Sequence, residues 1–305
     1  MTEIYSDIPS SATWRLVRPL TKGWSSDKKF YIETVENEKL LLRISDRATY
    51  EHKQGELAAM QKLFNAGVLM PRALDCGLCN DGQNVYILSA WLEGDDAEAV
   101  LPTLTAREQY QLGYAAGQKL RIIHSLPAPQ TLAPWEERFK RKVERKIDNY
   151  RACEIQFSGS AEVINHLYAN MSLLEGRPQS FQHGDFHVGN MIINEQRQLG
   201  IIDFDRSDYG DPWEEFNRIT FCVERSSPFA SGRINGYFND AVPDLFFKLL
   251  AFYVASNLLG AIPWAIPFGE KEVATSLRQA QRVLQWYDGF STHIPSWYEV
   301  GPPAH

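Results

Sequence analysis

The 305-residue sequence predicts an α+β chain, a small antiparallel sheet followed by a larger and mainly helical region. Three observations carry this. Residues 14–44 alternate short apolar runs with polar turns, as paired strands do. From Thr105 onward apolar residues recur at helical spacing instead. Between the helices, Met191, Ile192 and Ile193, the polar turn Glu195-Gln196-Arg197-Gln198, and residues 199–202 spell a hairpin.

The elements follow in order. Trp14 and Leu16 begin the first strand, and Thr21-Lys22-Gly23-Trp24-Ser25-Ser26-Asp27 is the turn after it. Residues 29–35 and 39–44 are the next strands, joined by Glu36-Asn37-Glu38. In the third strand Leu40, Leu42 and Ile44 share one face, with Leu41 and Arg43 on the other. Residues 47–66 read as a helix with the stripe Leu57, Met60, Leu63 and Phe64, stopped at Gly67. Residues 85–92 are an apolar strand ending in a polar turn. Thr105 and Glu108 make a capping box for a helix carrying Tyr110, Leu112, Ala116, Leu120 and Ile123. His124, at its end, reads as a packing residue. Residues 134–151 form an amphipathic helix on Trp135, Phe139, Val143, Ile147 and Tyr150, with a solvated charged face. Further helices are expected at 161–174, 213–223, 245–259 and 269–286. The late aromatics Trp264, Phe268, Trp286, Tyr287, Trp297 and Tyr298 read mostly as core contacts.

Composition narrows the classes. Net charge is -7 without a Lys/Arg stripe, which argues against nucleic acid or an anionic membrane as partner. No apolar run is read as reaching the roughly 18 residues of a membrane span. The start, MTEIYSDIPSSATW, lacks the basic and apolar segments of a signal peptide, so a cytoplasmic location is expected. Cys76 and Cys79 have ligand spacing, but no second Cys or His pair completes a zinc site, and reduced thiols are expected.

The chemistry concentrates in residues 181–218. His183-Gly184-Asp185 is followed by Asn190, then Asp203-Phe204-Asp205, then Gly210-Asp211-Pro212. The hairpin brings Asn190 and Asp203, at its two ends, side by side. An amide oxygen beside a carboxylate suits Mg²⁺, which keeps water and phosphate oxygens as its other ligands. Asp185 lies before the hairpin, apart from that pair, where it can take a proton from a hydroxyl. One aspartate for the acceptor and an Asn/Asp pair for the metal is the logic of phosphoryl transfer in kinases.

The run H-G-D-x-x-x-x-N followed by I-D-F-D resembles the aminoglycoside phosphotransferase and choline kinase branch of the protein-kinase-like fold. Gly184 stands where protein kinases carry Arg, and Asp205 where they carry Gly. The resemblance implies two lobes: a nucleotide-binding lobe at residues 1–92, and a catalytic and acceptor-binding lobe at residues 93–305. The hinge between them falls near residues 89–94. It implies ATP, or GTP, with Mg²⁺, and a small-molecule hydroxyl as acceptor. Asp185 would be the base, Asn190 and Asp203 the metal ligands, and Asp205 a support for a metal-bound water. Ser25 and Ser26 would lie in the nucleotide-positioning turn, and the backbone at Ala90 and Leu92 would receive the base. Arg43 stands where the family has Lys and would pair with Glu56, with Glu51 as competitor. His183 would brace the loop, Asp211 would accept backbone N–H groups around it, and Glu215 occupies a position where the family usually has Asp. The expected acceptor is an aminoglycoside-like antibiotic. The alternatives are choline or ethanolamine, homoserine or a sugar, or a catalytically inactive nucleotide-binding module supported by Arg43 alone. A cationic acceptor would want acidic walls, for which Glu214, Glu224, Asp240, Asp244 and Glu299 lie in the right half of the chain.

Overall fold

The structure is a computed structural model describing residues 3–21 and 27–303. Its strands and α-helices run β1 (Trp14–Leu20), β2 (Lys28–Thr34), β3 (Lys39–Asp46), α1 (Tyr50–Asn65), β4 (Ala73–Cys79), β5 (Asn84–Ala90), β6 (Asp95–Asp96), α2 (Ala97–Val100) and α3 (Ala106–Ile123). They continue through α4 (Trp135–Arg151), α5 (Ser160–Ala169), β7 (Ser180–Gln182), β8 (Met191–Ile193), β9 (Leu199–Ile201) and β10 (Asp208–Gly210). Four helices end the chain: α6 (Ile219–Arg225), α7 (Ser227–Phe238), α8 (Asp244–Ala265) and α9 (Glu270–Trp286). Two compact units emerge, Met1–Asp96 with Asn190–Ser207, and Ala97–Gly189 with Asp208–His305. Residues 93–96 and the hairpin fall in the first unit.

The first unit is an antiparallel sheet of order β1-β2-β3-β5-β4, with β3 in its middle. Alternation along β3 puts Leu40, Leu42 and Ile44 into one core with Ile8, Ile32, Tyr86 and Leu88. Arg43, paired with Ile87 in register, points to the opposite face. α1 departs from the expected stripe. Its buried residues are Lys53, Glu56, Ala59, Met60 and Leu63, while Phe64 is exposed. The buried face includes two charged side chains, so a stripe traced through apolar residues alone is rotated away from it. Cys76 and Cys79 are three apart on β4 and so face opposite sides of the sheet. Both are free, and burial pushes each thiol up to about 11. The hairpin pairs Met191 with Ile201 and Ile193 with Leu199, and β6 adds a third strand at β8.

In the second unit the capping box forms: Thr105 Oγ1 accepts the Glu108 N–H, and Glu108 accepts the Thr105 N–H at 2.9 Å. α4 buries the expected five residues. The expected helix at 161–174 ends at Ala169, and a 3₁₀ turn, Met171–Leu174, completes it. The one expected at 213–223 is a 3₁₀ segment, Glu214–Arg218, running into α6. α7 has no counterpart in the sequence reading. It packs on α3 through glycines: a Cβ at Gly113 would lie 2.0 Å from the Phe229 carbonyl oxygen, and one at Gly236 would lie 2.1 Å from that of Tyr114. Backbone-to-backbone packing needs no apolar stripe, so periodicity does not reveal it. The membrane expectation needs correction. Asp244–Phe268 is long and apolar enough to span a bilayer by length and composition. It is 72% buried within the protein, and an all-round apolar helix of this kind is a core helix.

Candidate active site

Within the first unit, β3, α1 and the hairpin end bring together a dense ionic cluster. Arg43 is 7% exposed. Its Nη1 lies 3.4 Å from Glu56 Oε1 and 3.1 Å from Asp203 Oδ1, and its Nη2 lies 3.0 Å from Asp27 Oδ2 and 2.8 Å from Asp205 Oδ1. Burial works against the guanidinium charge, but Glu56, Asp203, Asp205 and Asp27 together outweigh it and hold the charge firmly. Lys53, one turn before Glu56 on α1, is a second buried cation. It lies 3.2 Å from both Glu56 Oε2 and Asp27 Oδ2, and pairs with Asp205. Burial opposes ionisation of Asp205, and Arg43 and Lys53 reverse that, holding the carboxyl below its ordinary range. Glu51 is exposed and leaves the Arg43 pairing to Glu56. Lys53 is absent from the sequence reading, and Asp27 figures there only as the last residue of a turn.

At the mouth of the hairpin, the Ile202 N–H donates to the Asn190 carbonyl at 3.0 Å, so Asn190 and Asp203 leave the ladder as neighbours. Asp203 holds φ 66, a left-handed conformation uncommon for a non-glycine residue. Its Oδ2 lies 3.7 Å from Lys29 Nζ. Among the described residues no three His, Cys, Asp or Glu side chains gather as a metal centre. The donor set here is smaller, one amide oxygen and one carboxylate. That set fits a cation that keeps water and phosphate oxygens. Charge agrees: Asp27, Glu56, Asp203 and Asp205 exceed Arg43, Lys53 and Lys29 by one negative charge. Ala90 closes β5, its N–H donating to the Arg72 carbonyl at 2.9 Å, and Leu92 follows, packed where a Gly200 Cβ would be 2.5 Å away. Ser25 and Ser26 lie outside the described residues.

Within the second unit, β7 and β10 pair antiparallel and launch the loop that carries Asp185. One buried carboxylate holds this loop. Glu215 accepts the His183 N–H at 2.8 Å and the Gly184 N–H at 2.6 Å. Gly184 sits at φ 82, which suits glycine. His124 Nε2 lies 3.1 Å from Glu215, and its Nδ1 is 2.9 Å from Tyr237 Oη. Burial raises the cost of the Glu215 charge; His124, His183 and the loop N–H outweigh that cost and keep the carboxyl below its ordinary range. Arg233, fully buried, donates to the Phe186 carbonyl at 2.9 Å and stacks on the Phe186 and Phe216 rings. His183 Nδ1 accepts the Asp185 N–H at 3.3 Å. Asp211, expected to gather backbone N–H groups, accepts that of Trp213 at 2.9 Å, but spends itself mainly on Arg177 and Tyr253. Anchoring the loop falls to Glu215.

Asp185 Oδ1 lies 3.4 Å from Arg218 Nε and 3.4 Å from His187 Nε2. His187 Nδ1 accepts the Gly189 N–H at 3.0 Å, so in neutral His187 the proton sits on Nε2, toward Asp185. Arg218 and His187 are absent from the sequence reading, although Arg218 lies three residues beyond Glu215.

The sequence matches the phosphotransferase enzyme family over residues 16–246. The chain belongs to that family. Among solved structures, this phosphotransferase resembles a thermostable mutant of the aminoglycoside phosphotransferase APH(4)-Ia, apo form, at 16% identity and TM-score 0.67, covering 92% of this chain and 97% of that one. A choline/ethanolamine kinase family protein from Mesorhizobium loti matches at 14% identity and TM-score 0.67, with 95% of each chain covered. ADP-bound APH(2'')-Ib matches at 18% identity and TM-score 0.61, covering 91% and 97%. These likenesses bear out the kinase-like fold. No curated protein matches the sequence significantly.

Proposed function

We propose that this phosphotransferase moves the γ-phosphoryl group of ATP, with Mg²⁺, to the hydroxyl of a small molecule. The observation that carries this is the Asp185 loop. Its two preceding backbone N–H groups end on one buried carboxylate, and the aspartate emerges beside Arg218 and His187. A fixed carboxylate can orient the hydroxyl and take its proton as oxygen bonds to the γ-phosphorus and ADP leaves. His187 and Arg218 keep that carboxylate in place. Asn190 and Asp203 would hold the metal, whose role when bound is to neutralise the phosphates. The left-handed backbone at Asp203 supports this, since such strain gathers at functional sites. Arg43, with Glu56, would face the nucleotide, with residues 1–92 as the nucleotide-binding lobe and residues 93–305 as the catalytic and acceptor-binding lobe.

Solved neighbours include APH(4)-Ia with ADP and hygromycin B, which is the basis for an aminoglycoside-like acceptor here. The test is thermal shift with MgATP and MgGTP, followed by ADP release over hydroxyl acceptors of each charge class. Stabilisation by MgATP and acceptor-dependent ADP release are expected. No shift with either nucleotide, and no acceptor-dependent release, would overturn the reading.

A further inference from the structure

Three cations stand among the carboxylates of the first unit, and they are not equally placed to meet a ligand. Lys53 is enclosed by Asp27, Glu56 and Asp205, and its side chain is 3% exposed. Arg43, at 8%, commits both Nη atoms to four carboxylates: Glu56 and Asp203 from Nη1, Asp27 and Asp205 from Nη2. Turning that guanidinium toward a phosphate would strip a partner from Glu56 and Asp27, whose side chains are 2% and 8% exposed. A buried carboxylate left short of its counter-charge is strongly destabilising. Lys29 is the third cation. Its side chain is 15% exposed, and its one ion pair among the described residues is a long one, 3.7 Å to Asp203 Oδ2. At that length no hydrogen bond fixes the ammonium.

Sequence and register put Lys29 there. Phe30 and Ile32 pack into the apolar core, so alternation along β2 turns Lys29 to the other face of the sheet. Lys29 pairs directly with Arg43 across the β2–β3 ladder, and such partners share a face. A point charge with three donors on a flexible stem suits phosphate oxygens, whereas the planar fork of Arg43 matches the carboxylates it already holds.

Asp203 decides what Lys29 can bind. It is the carboxylate proposed for the metal. When Asp203 serves a cation, Lys29 loses its counter-charge and faces a like charge instead. Phosphate oxygens, which come with the metal, are an anion that answers both charges. We infer that Lys29 is the side chain that binds the nucleotide's phosphates, while Arg43 is held to the carboxylate cluster. The inference rests on the phosphotransferase reading and moves the phosphate contact from the β3 cation to its neighbour on β2.

The experiment is calorimetry with MgATP and with adenosine on wild type, Lys29→Met and Lys29→Arg, with melting of each free protein alongside. Lys29→Met is expected to weaken MgATP about 10–100-fold, the range of one hydrogen bond to a charged group, and to leave adenosine within about twofold. Lys29→Arg keeps the charge and should recover most of the loss. Both free variants should melt close to wild type, since the pair with Asp203 is long and partly exposed. A lysine that only neutralises Asp203 predicts the opposite sign: its removal frees the carboxylate, and MgATP then binds as well as to wild type or better. That result, or an equal loss for adenosine and MgATP, overturns the inference. The wild type judges the parent reading. Failure of wild type to bind MgATP or MgGTP overturns phosphoryl transfer and the Lys29 assignment together, whereas wild-type binding that Lys29→Met leaves intact overturns the assignment alone.

Discussion

Replacing Glu215 by Gln tests how the Asp185 loop is held. The carboxylate is 3% exposed and accepts two loop N–H groups, at 2.8 and 2.6 Å, while His124 Nε2 stands 3.1 Å away. Glutamine keeps the shape and one oxygen. Its NH₂ group then faces a loop N–H, donor against donor, unless the amide turns it toward His124 and that ring carries its proton on Nδ1, toward Tyr237. One hydrogen bond to a charged group is lost, worth about 1.5–3 kcal/mol, and one buried donor is left unmet, costing about 1–3 kcal/mol. A total of about 2.5–6 kcal/mol is large against a domain stability of about 5–15 kcal/mol, yet leaves most domains folded. The loop should yield first, because the lost bonds are its own. The expected outcome is a lower melting temperature, a fall in kcat of well over tenfold, and MgATP affinity close to wild type. Acid should have a related effect. The Glu215 carboxyl lies below its ordinary range in the folded protein, so its contribution is present above the unfolded pKa and fades as pH falls through the folded value. A Glu215→Gln enzyme with wild-type turnover would refute the anchoring role.

Asp203→Asn should abolish Mg²⁺-dependent nucleotide binding in calorimetry while the fold survives, since Arg43 retains Glu56, Asp27 and Asp205; undiminished MgATP affinity contradicts the metal assignment. Lys53→Met strips the buried cation from Asp27, Glu56 and Asp205, and urea unfolding should show a loss of about 3–5 kcal/mol. A loss below about 1 kcal/mol would mean that Arg43 alone neutralises the cluster. His166, stacked on Phe290, has its pKa pushed down to about 4 by burial. The unfolded chain therefore binds a proton first, and stability should fall by about 3 kcal/mol between pH 6.5 and 4. His166→Phe should flatten that slope, and an unchanged slope points to other groups.

Some of this was legible because local rules and tertiary packing agree. The alternation in β3 sets Arg43 against the apolar face, and the period-two runs around Glu195 to Gln198 make Asn190 and Asp203 neighbours. α4 shows its buried stripe at helical spacing. The rest depends on partners that no local pattern names. Lys53 is buried because Asp27, Glu56 and Asp205 surround it, so a helix read by its apolar residues passes over it. Glu215 reaches back to N–H groups 31 and 32 residues earlier. Lys146 looks like one more solvated charge of a basic helix until Ser256 and Gly260 are seen beneath it. α7 hides because glycines pack it. α8 is expected at 245–259, but its full apolar length hides because Ser256, Asn257 and Pro263 interrupt a segment that is nonetheless apolar in its average.

The central claim is that Asp185 serves the acceptor hydroxyl rather than the nucleotide. Single-turnover phosphoryl transfer by Asp185→Ala, with MgATP binding measured on the same protein, tests it most directly. The account predicts nearly intact nucleotide binding and a rate lowered about 10²–10⁴-fold, or roughly 3–5 kcal/mol of barrier. A variant retaining more than about a tenth of the wild-type rate, outside the range of a general base, would contradict it.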